Sequence, residues 1–204
     1  KSMFGSLVVM RITILLADIG IFYFGRKLLK NLNKSPQLIF WYFLNPLVII
    51  ELTGNLHFEG VMLFFFILSM FLLSISKWIW AAAIMLFLPF YTPEFIANYT
   101  KTISLWFSNF EFNASIYNIV KQTAIQFDAK PWEFIKVYGK ITPLLIILVV
   151  VLFTFLPKRK DLNQVLASMM WVLTIYYFMS TTLHPWYCIF LVLLAIFTSY
   201  RYAI

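Results

Sequence analysis

The chain has 204 residues, 62% of them hydrophobic and 12% charged, with a mean hydropathy of +0.86. Soluble domains are roughly half apolar and about a quarter charged, so this composition excludes an ordinary soluble domain and defines an integral membrane protein. The net charge of +8 implies no nucleic-acid partner, because Lys and Arg of membrane proteins gather in cytoplasmic loops and beside anionic headgroups. The lone Cys188 cannot form an intrachain disulfide and says little about redox compartment.

A helix needs about 20 apolar residues to cross a bilayer, and the sequence offers seven candidate spans. The first covers residues 7–25 and embeds Arg11 and Asp18. These are seven apart, two helical turns, and so share one face. They read as a buried pair holding helices together, with Asp18 mid-span toward the cytoplasmic half, the wrong depth for a group that acts at the outer face. A basic stretch follows, with Arg26, Lys27, Lys30 and Lys34. The second span, 37–50, is interrupted by Asn45-Pro46, which predicts either a simple kink or a break that shapes a cavity. The third is 58–75. The fourth, 78–90, is short, at 13 residues. A more polar segment, 91–140, is rich in aromatics such as Trp106, Phe107, Phe110, Phe112, Tyr117 and Trp132. It reads as short amphipathic helices on the membrane surface. The fifth span, 141–156, ends in the basic run Lys158, Arg159, Lys160. The sixth is 164–182 and the seventh 186–200.

The spans predict an all-α polytopic transmembrane bundle, a single domain over 1–204, with 91–140 as an outer-face subregion. If Arg26 to Lys34 lies inside, alternation brings Lys77, Lys158 to Lys160 and Arg201 inside as well, as the positive-inside rule requires. The outer face then receives residues 51–59, the 91–140 segment and the turn at 183–185. Both histidines, His57 and His184, fall there, with six of the eight acidic residues.

Ionisable groups are expensive beside hydrocarbon and are usually functional there. The densest group is NPLVIIELTGNLHFE, residues 45–59, which carries Asn45, Glu51, Asn55, His57 and Glu59. Gly54-Asn55 is a turn signal, so a tight loop joins two spans. A carboxylate beside an imidazole offers general-base chemistry, phosphate recognition or part of a metal site. The plainer reading is a loop that solvates its charges at the interface. His-x-Glu alone supplies too few ligands for a metal, so no metal residues are assigned, and dependence on a divalent ion stays open. The second group is His184-Pro185-Trp186-Tyr187. Trp and Tyr are ordinary belt residues at a span start, whereas His184 could bind a lipid phosphate at headgroup depth.

These motifs together resemble the GT-C superfamily of membrane glycosyltransferases, and in particular the bacterial polyprenol-phosphate-mannose-dependent mannosyltransferases related to the mycobacterial enzyme that extends phosphatidylinositol mannosides. The stretch FEFNASIY, 110–117, is similar to the outer loop of Bacteroidetes-type members. The resemblance implies transfer of a hexose, mannose foremost, from a polyprenyl-phosphate donor to a lipid or glycan acceptor, with inversion, on the periplasmic face of a bacterial inner membrane. An endoplasmic-reticulum membrane is the alternative location. It implies substrate-binding roles for Asn45, Glu51, Asn55, His57, Glu59, His184, Trp186 and Tyr187. The family's catalytic carboxylate lies in the first outer loop, upstream of a helix like the one that opens at Lys1-Ser2-Met3. The base is therefore expected outside this chain, with Glu51 or Glu59 as fallback. Members carry further membrane segments between regions like WIWAAAIM and LFLPFY, so residues are expected to be omitted near Met85. A transporter with a midplane site at the broken helix, or a non-catalytic protein that binds a lipid-linked sugar, are the rival readings.

Overall fold

The computed structural model describes residues 3–85, 92–128, 130–157 and 161–204. The Lys158 to Lys160 run, residues 86–91 at the end of the fourth predicted span, and the side chains of Trp106 and Phe107 lie outside the described residues. The chain divides into two compact units, Lys1–Pro89 with Pro185–Ile204, and Phe90–His184.

In the first unit α1 runs over Met3–Asn31. The second predicted span is a broken helix, α2 (Pro36–Phe43) and α3 (Pro46–Gly54), bent by 56°. Its break is at Asn45-Pro46, where the Asn45 side-chain oxygen accepts from Leu47 N at 3.0 Å and Pro46 opens the next turn. The missing N–H of a proline costs nothing at a first helical position, and an Asn before it caps the orphaned donors. The chain thus restarts a helix there rather than merely bending one. α3 ends in a widened turn, with Asn55 N reaching back five residues to Ile50 O at 2.8 Å. Then follow α4 (Glu59–Ser74), α5 (Trp78–Met85) and, after the second unit, α10 (Pro185–Phe197).

α1 and α4 pack side by side and run in the same direction. Asp18 Oδ1 lies beside Gly60, Gly20 lies against Phe64, and Asn31 Nδ2 donates to Ser74 Oγ at 2.8 Å. The thirteen residues from 18 to 31 and the fourteen from 60 to 74 each rise about 20 Å, so this register holds along the whole contact. Ile14, Ala17, Ile21, Gly25 and Leu28 form the buried stripe of α1, at three- and four-residue spacing. Val9, Ile12, Leu16, Ile19 and Tyr23 form an exposed apolar stripe, which suits a helix bathed in lipid and not in water. α10 is buried from Leu191 to Phe197 and serves as the core of the unit.

The second unit contains α6 (Pro93–Asn109), α7 (Ile116–Gln126), α8 (Pro131–Phe155) and α9 (Leu162–Met179). α6 and α7 are the helices expected in the 91–140 segment. α8 begins ten residues before the predicted fifth span. Pro131 occupies its first turn, and the polar turn with Glu133, Lys136 and Lys140 is continuous with the apolar part. Hydropathy marks where a helix enters lipid, not where it starts. Asp161 caps α9 by accepting from Gln164 N at 2.8 Å.

The fold is all-α and membrane-spanning. α1, α8 and α9 are long and apolar enough to cross a bilayer, and the bent α2–α3 pair makes a fourth if it counts as one span. Seven full spans are not established. α4 has 16 residues and rises about 24 Å, short of the roughly 30 Å of hydrocarbon.

Candidate functional site

The group foreseen between residues 45 and 59 is assembled in the first unit by the end of α3 and the start of α4. His57 lies between two carboxylates. Its Nε2 is 3.4 Å from Glu51 Oε2 and its Nδ1 is 3.8 Å from Glu59 Oε2. All three side chains are partly buried, Glu51 most deeply. Asn55 Nδ2 donates to the same Glu51 oxygen at 3.0 Å, and His57 N donates to Glu51 O at 3.2 Å. The widened turn of α3 brings Glu51 and Asn55 onto one side, and such turns recur at functional sites. Leu56, at φ 58°, then reverses the chain. A non-glycine residue in that left-handed region is uncommon, so the turn falls on Leu56 and not on Gly54, which keeps an ordinary negative φ.

Trp186 completes this cluster. Its ring stacks on His57 with centroids 4.1 Å apart and planes 21° apart. Tyr187 meets Trp186 edge-on at 6.0 Å. The sequence singled out both aromatics and His57 but gave no sign that residues 129 positions apart would stack.

The other predicted residues take different places. Asn45 is a helix cap and borders an open cavity of about 390 Å³ lined by Phe40, Trp41, Leu44, Pro46 and Ile204. His184 belongs to the second unit, where its ring stacks on Phe112 at 4.9 Å. That strand-like loop is fixed by Phe112 N donating to Thr181 O and Leu183 N donating to Phe112 O, both at 2.9 Å. Nearby, Lys121 Nζ is 2.6 Å from Glu111 Oε1, and this hydrogen bond holds the Glu111 carboxyl below the usual range.

The expected Arg11–Asp18 pair does not form. Arg11 is exposed, and two turns put about 10 Å between the positions. Nor does Asp18 lie at the wrong depth. It sits beside Gly60, directly after Glu59, at the level of the cluster. Residues 3–17 of α1 extend beyond that level by about 20 Å. The opposite end of the unit is basic. Asn31 meets Ser74 there, which brings Lys27, Lys30 and Lys34 to the same end as Lys77. Burial and the neighbouring Arg201 hold Lys34 below the ordinary lysine range. Among the described residues no group of three or more His, Cys, Asp or Glu is placed to hold a metal ion.

The protein is therefore a multi-pass helical membrane protein, with a carboxylate–imidazole–indole cluster where α3 ends and α4 begins and basic groups at the opposite end of α4. Residues 1–91 match the model of the MptA_B family, described as alpha-(1->6)-mannopyranosyltransferase, N-terminal domain. This bears out the resemblance to mannosyltransferases; of the motifs that carried it, residues 45–59 lie within the match and residues 110–117 and 184–187 lie outside it. It supports the transferase class over the part of the chain that holds Glu51, His57 and Glu59. No curated protein and no solved structure matches the chain.

Proposed function

We propose that the protein takes part in mannosyl transfer from a polyprenyl-phosphate donor to a lipid or glycan acceptor on the outer face of the bacterial inner membrane, with inversion at the anomeric carbon. The observation that carries this reading is His57, held between Glu51 and Glu59 and stacked on Trp186, within the stretch that matches the mannosyltransferase family. In such a transfer the acceptor oxygen attacks the anomeric carbon and gives its proton to a base. The bond from that carbon to the phosphate oxygen breaks, and the phosphate leaves with the electron pair. Carboxylates and an imidazole at hydrogen-bonding range of a hydroxyl serve the first event, and donors near the phosphate serve the second.

The exposed apolar stripe of α1, with Val9, Ile12, Leu16, Ile19 and Tyr23, supports a substrate that is itself held in the bilayer. The base is proposed to lie upstream of Lys1, with Glu51 or Glu59 as the fallback. The basic end, with Lys27, Lys30 and Lys77, is proposed to face the cytoplasm, in keeping with the positive-inside rule.

Assay of the full-length protein with labelled polyprenyl-phosphate-mannose tests this reading. Uptake of the sugar without covalent transfer would favour a transporter, and binding without either would favour a lipid-sugar binding protein. Two variants sharpen the test. Asn55→Ala removes a hydrogen bond to the Glu51 carboxylate. Such bonds contribute about 1.5–3 kcal/mol, less where exposed, so kcat/KM is expected to fall roughly tenfold. For His184, proposed to receive the leaving phosphate, His184→Ala is expected to lower turnover while insertion into the membrane stays normal. Wild-type turnover in that variant would remove His184 from the mechanism.

A further inference from the structure

The three acidic residues of the first unit, Asp18, Glu51 and Glu59, all lie at the level of the cluster. Its basic end holds cations alone, and two of them are fixed in place. Phe197, the last residue of α10, meets α1 and α2 there. A Cβ at Gly25 would lie 3.6 Å from Phe197 Cζ and 2.8 Å from Ile39 Cδ1. This contact brings the chain that follows α10 to the turn joining α1 to α2. Arg201, four residues after Phe197, is pinned there by its guanidinium. Nη1 donates to Ala195 O and, at 2.9 Å, to Thr198 O. Lys34 is fixed by its backbone: Asn33 reverses the chain at φ 57°, and Lys34 N donates to Leu29 O at 2.8 Å. Among the described residues no carboxylate pairs with Lys34 or Arg201. Two cations held close and partly out of water repel each other unless an anion joins them. An apolar cavity adjoins this pair. Ile204 N donates to Arg201 O at 3.1 Å, and Ile204 lines the open cavity of about 390 Å³ whose walls include Phe40, Trp41 and Leu44. A third cation approaches it from α1. The Arg26 guanidinium lies over the Phe22 ring at 5.2 Å, and Phe22 meets Phe40 edge-on at 5.7 Å.

We propose that Lys34 and Arg201 bind the phosphate of an anionic glycerophospholipid, with one of its acyl chains in the cavity beside Trp41 and Leu44. The charge is complementary, since two uncompensated cations face one phosphate, and Arg presents donors suited to its oxygens. The cavity supplies the second half of the recognition. Phe40, Trp41 and Leu44 are exposed, so a chain can enter from the bilayer, and basic pockets between membrane helices are known to take phospholipid headgroups. A free phosphate would use the cations and leave the apolar walls without a partner. The site is also apart from the cluster. The fourteen residues of α4 from Gly60 to Ser74 separate the two ends by about 20 Å. This lipid is therefore not the sugar donor, and the inference goes beyond the proposed function and stands without it.

The test is native mass spectrometry of the full-length protein in detergent, titrated with three probes. Dioleoyl phosphatidylglycerol carries both the anion and the chains, dioleoyl phosphatidylcholine the same chains under a zwitterion, and glycerol phosphate the anion alone. The wild type is expected to bind phosphatidylglycerol roughly tenfold more tightly than phosphatidylcholine, the scale of a hydrogen bond to a charged group. Glycerol phosphate should fail to displace it. Lys34→Gln lies outside the helices and removes the charge while keeping most of the side chain. It should abolish the preference for phosphatidylglycerol, and Lys34→Arg should retain it. Lys77→Gln removes the same charge from the same end and should weaken binding by less than about twofold, as expected of a screened surface charge. Trp41→Ala should weaken both lipids by a similar factor, since it removes a wall and no charge. Three results would each overturn the inference. Equal affinity of the wild type for the two lipids would mean that no anion site exists. Equal losses in Lys34→Gln and Lys77→Gln would reduce the effect to diffuse attraction by the basic end. Displacement of the lipid by glycerol phosphate would leave a free-anion site in which the cavity plays no part.

Discussion

Replacing His57 by alanine is expected to lower kcat/KM for mannosyl transfer by about a hundredfold, within the range that a positioned acid–base group contributes. The imidazole separates Glu51 and Glu59, with one carboxylate facing each ring nitrogen at 3.4 and 3.8 Å. Once the ring is gone, the two carboxylates lose the group that spaces and orients them, and the gap between them is left without a hydrogen-bonding partner. His57→Gln keeps a donor in the gap and should restore part of the rate. Trp186→Ala removes the stacking partner at 4.1 Å and leaves the carboxylates and the imidazole in place. It should therefore weaken sugar binding, seen as a raised KM, more than it lowers kcat. A His57→Ala enzyme with an unaltered rate would show that this cluster is a structural loop and not the site.

What the sequence disclosed and what it hid follow from the same physics. Hydropathy finds apolar runs, so α1, α8 and α9 were legible as spans. Asn-Pro inside an apolar run is local chemistry, so the break that bends α2 from α3 by 56° was legible too. The clustering of His57 with Glu51 and Glu59 needed only a short turn, and the Gly54-Asn55 signal supplied it, although the left-handed residue proved to be Leu56. Register between helices is not local. Nothing in the pattern of residues 7–25 tells which residue of α4 meets Asp18, so its place beside Gly60, level with the cluster, was not legible. Nor can hydropathy pair residues distant in sequence, and this is why the stack of Trp186 on His57 was unforeseen and why His184 appears with Phe112. A helix that enters lipid through a charged turn is the remaining case. Lys136 and Lys140 masked the first ten residues of α8, because the hydropathy of a window falls before the helix ends.

The register that places Asp18 beside Gly60, level with the cluster, depends on Gly20, so Gly20→Ala tests the geometry independently of any substrate. A methyl group at Gly20 would sit 2.3 Å from Phe64 Cε2 and 2.4 Å from Cδ2, well inside contact distance. Two effects oppose each other. Alanine is a better helix former than glycine by about 1 kcal/mol, which stabilises α1 on its own. Overpacking a close helix contact costs about 1–3 kcal/mol, and small residues are what let membrane helices approach so closely. Overlap of this depth cannot be absorbed by α1, whose backbone is held on both sides of Gly20 by buried Ala17 and Ile21. The Phe64 ring must swing or the helices must part, and the packing term should win. The variant is expected to unfold several degrees lower in detergent, with Gly20→Val worse. Parting the helices also draws Asp18 away from Gly60, its neighbour across the contact. Trimming the ring in a Gly20→Ala, Phe64→Ala double variant should recover stability relative to the sum of the single changes, since the two positions share one contact and cannot act additively. A Gly20→Ala protein as stable as the wild type, with no coupling to Phe64, would mean that α1 and α4 do not meet in this register, and that the depth assigned to Asp18 is wrong.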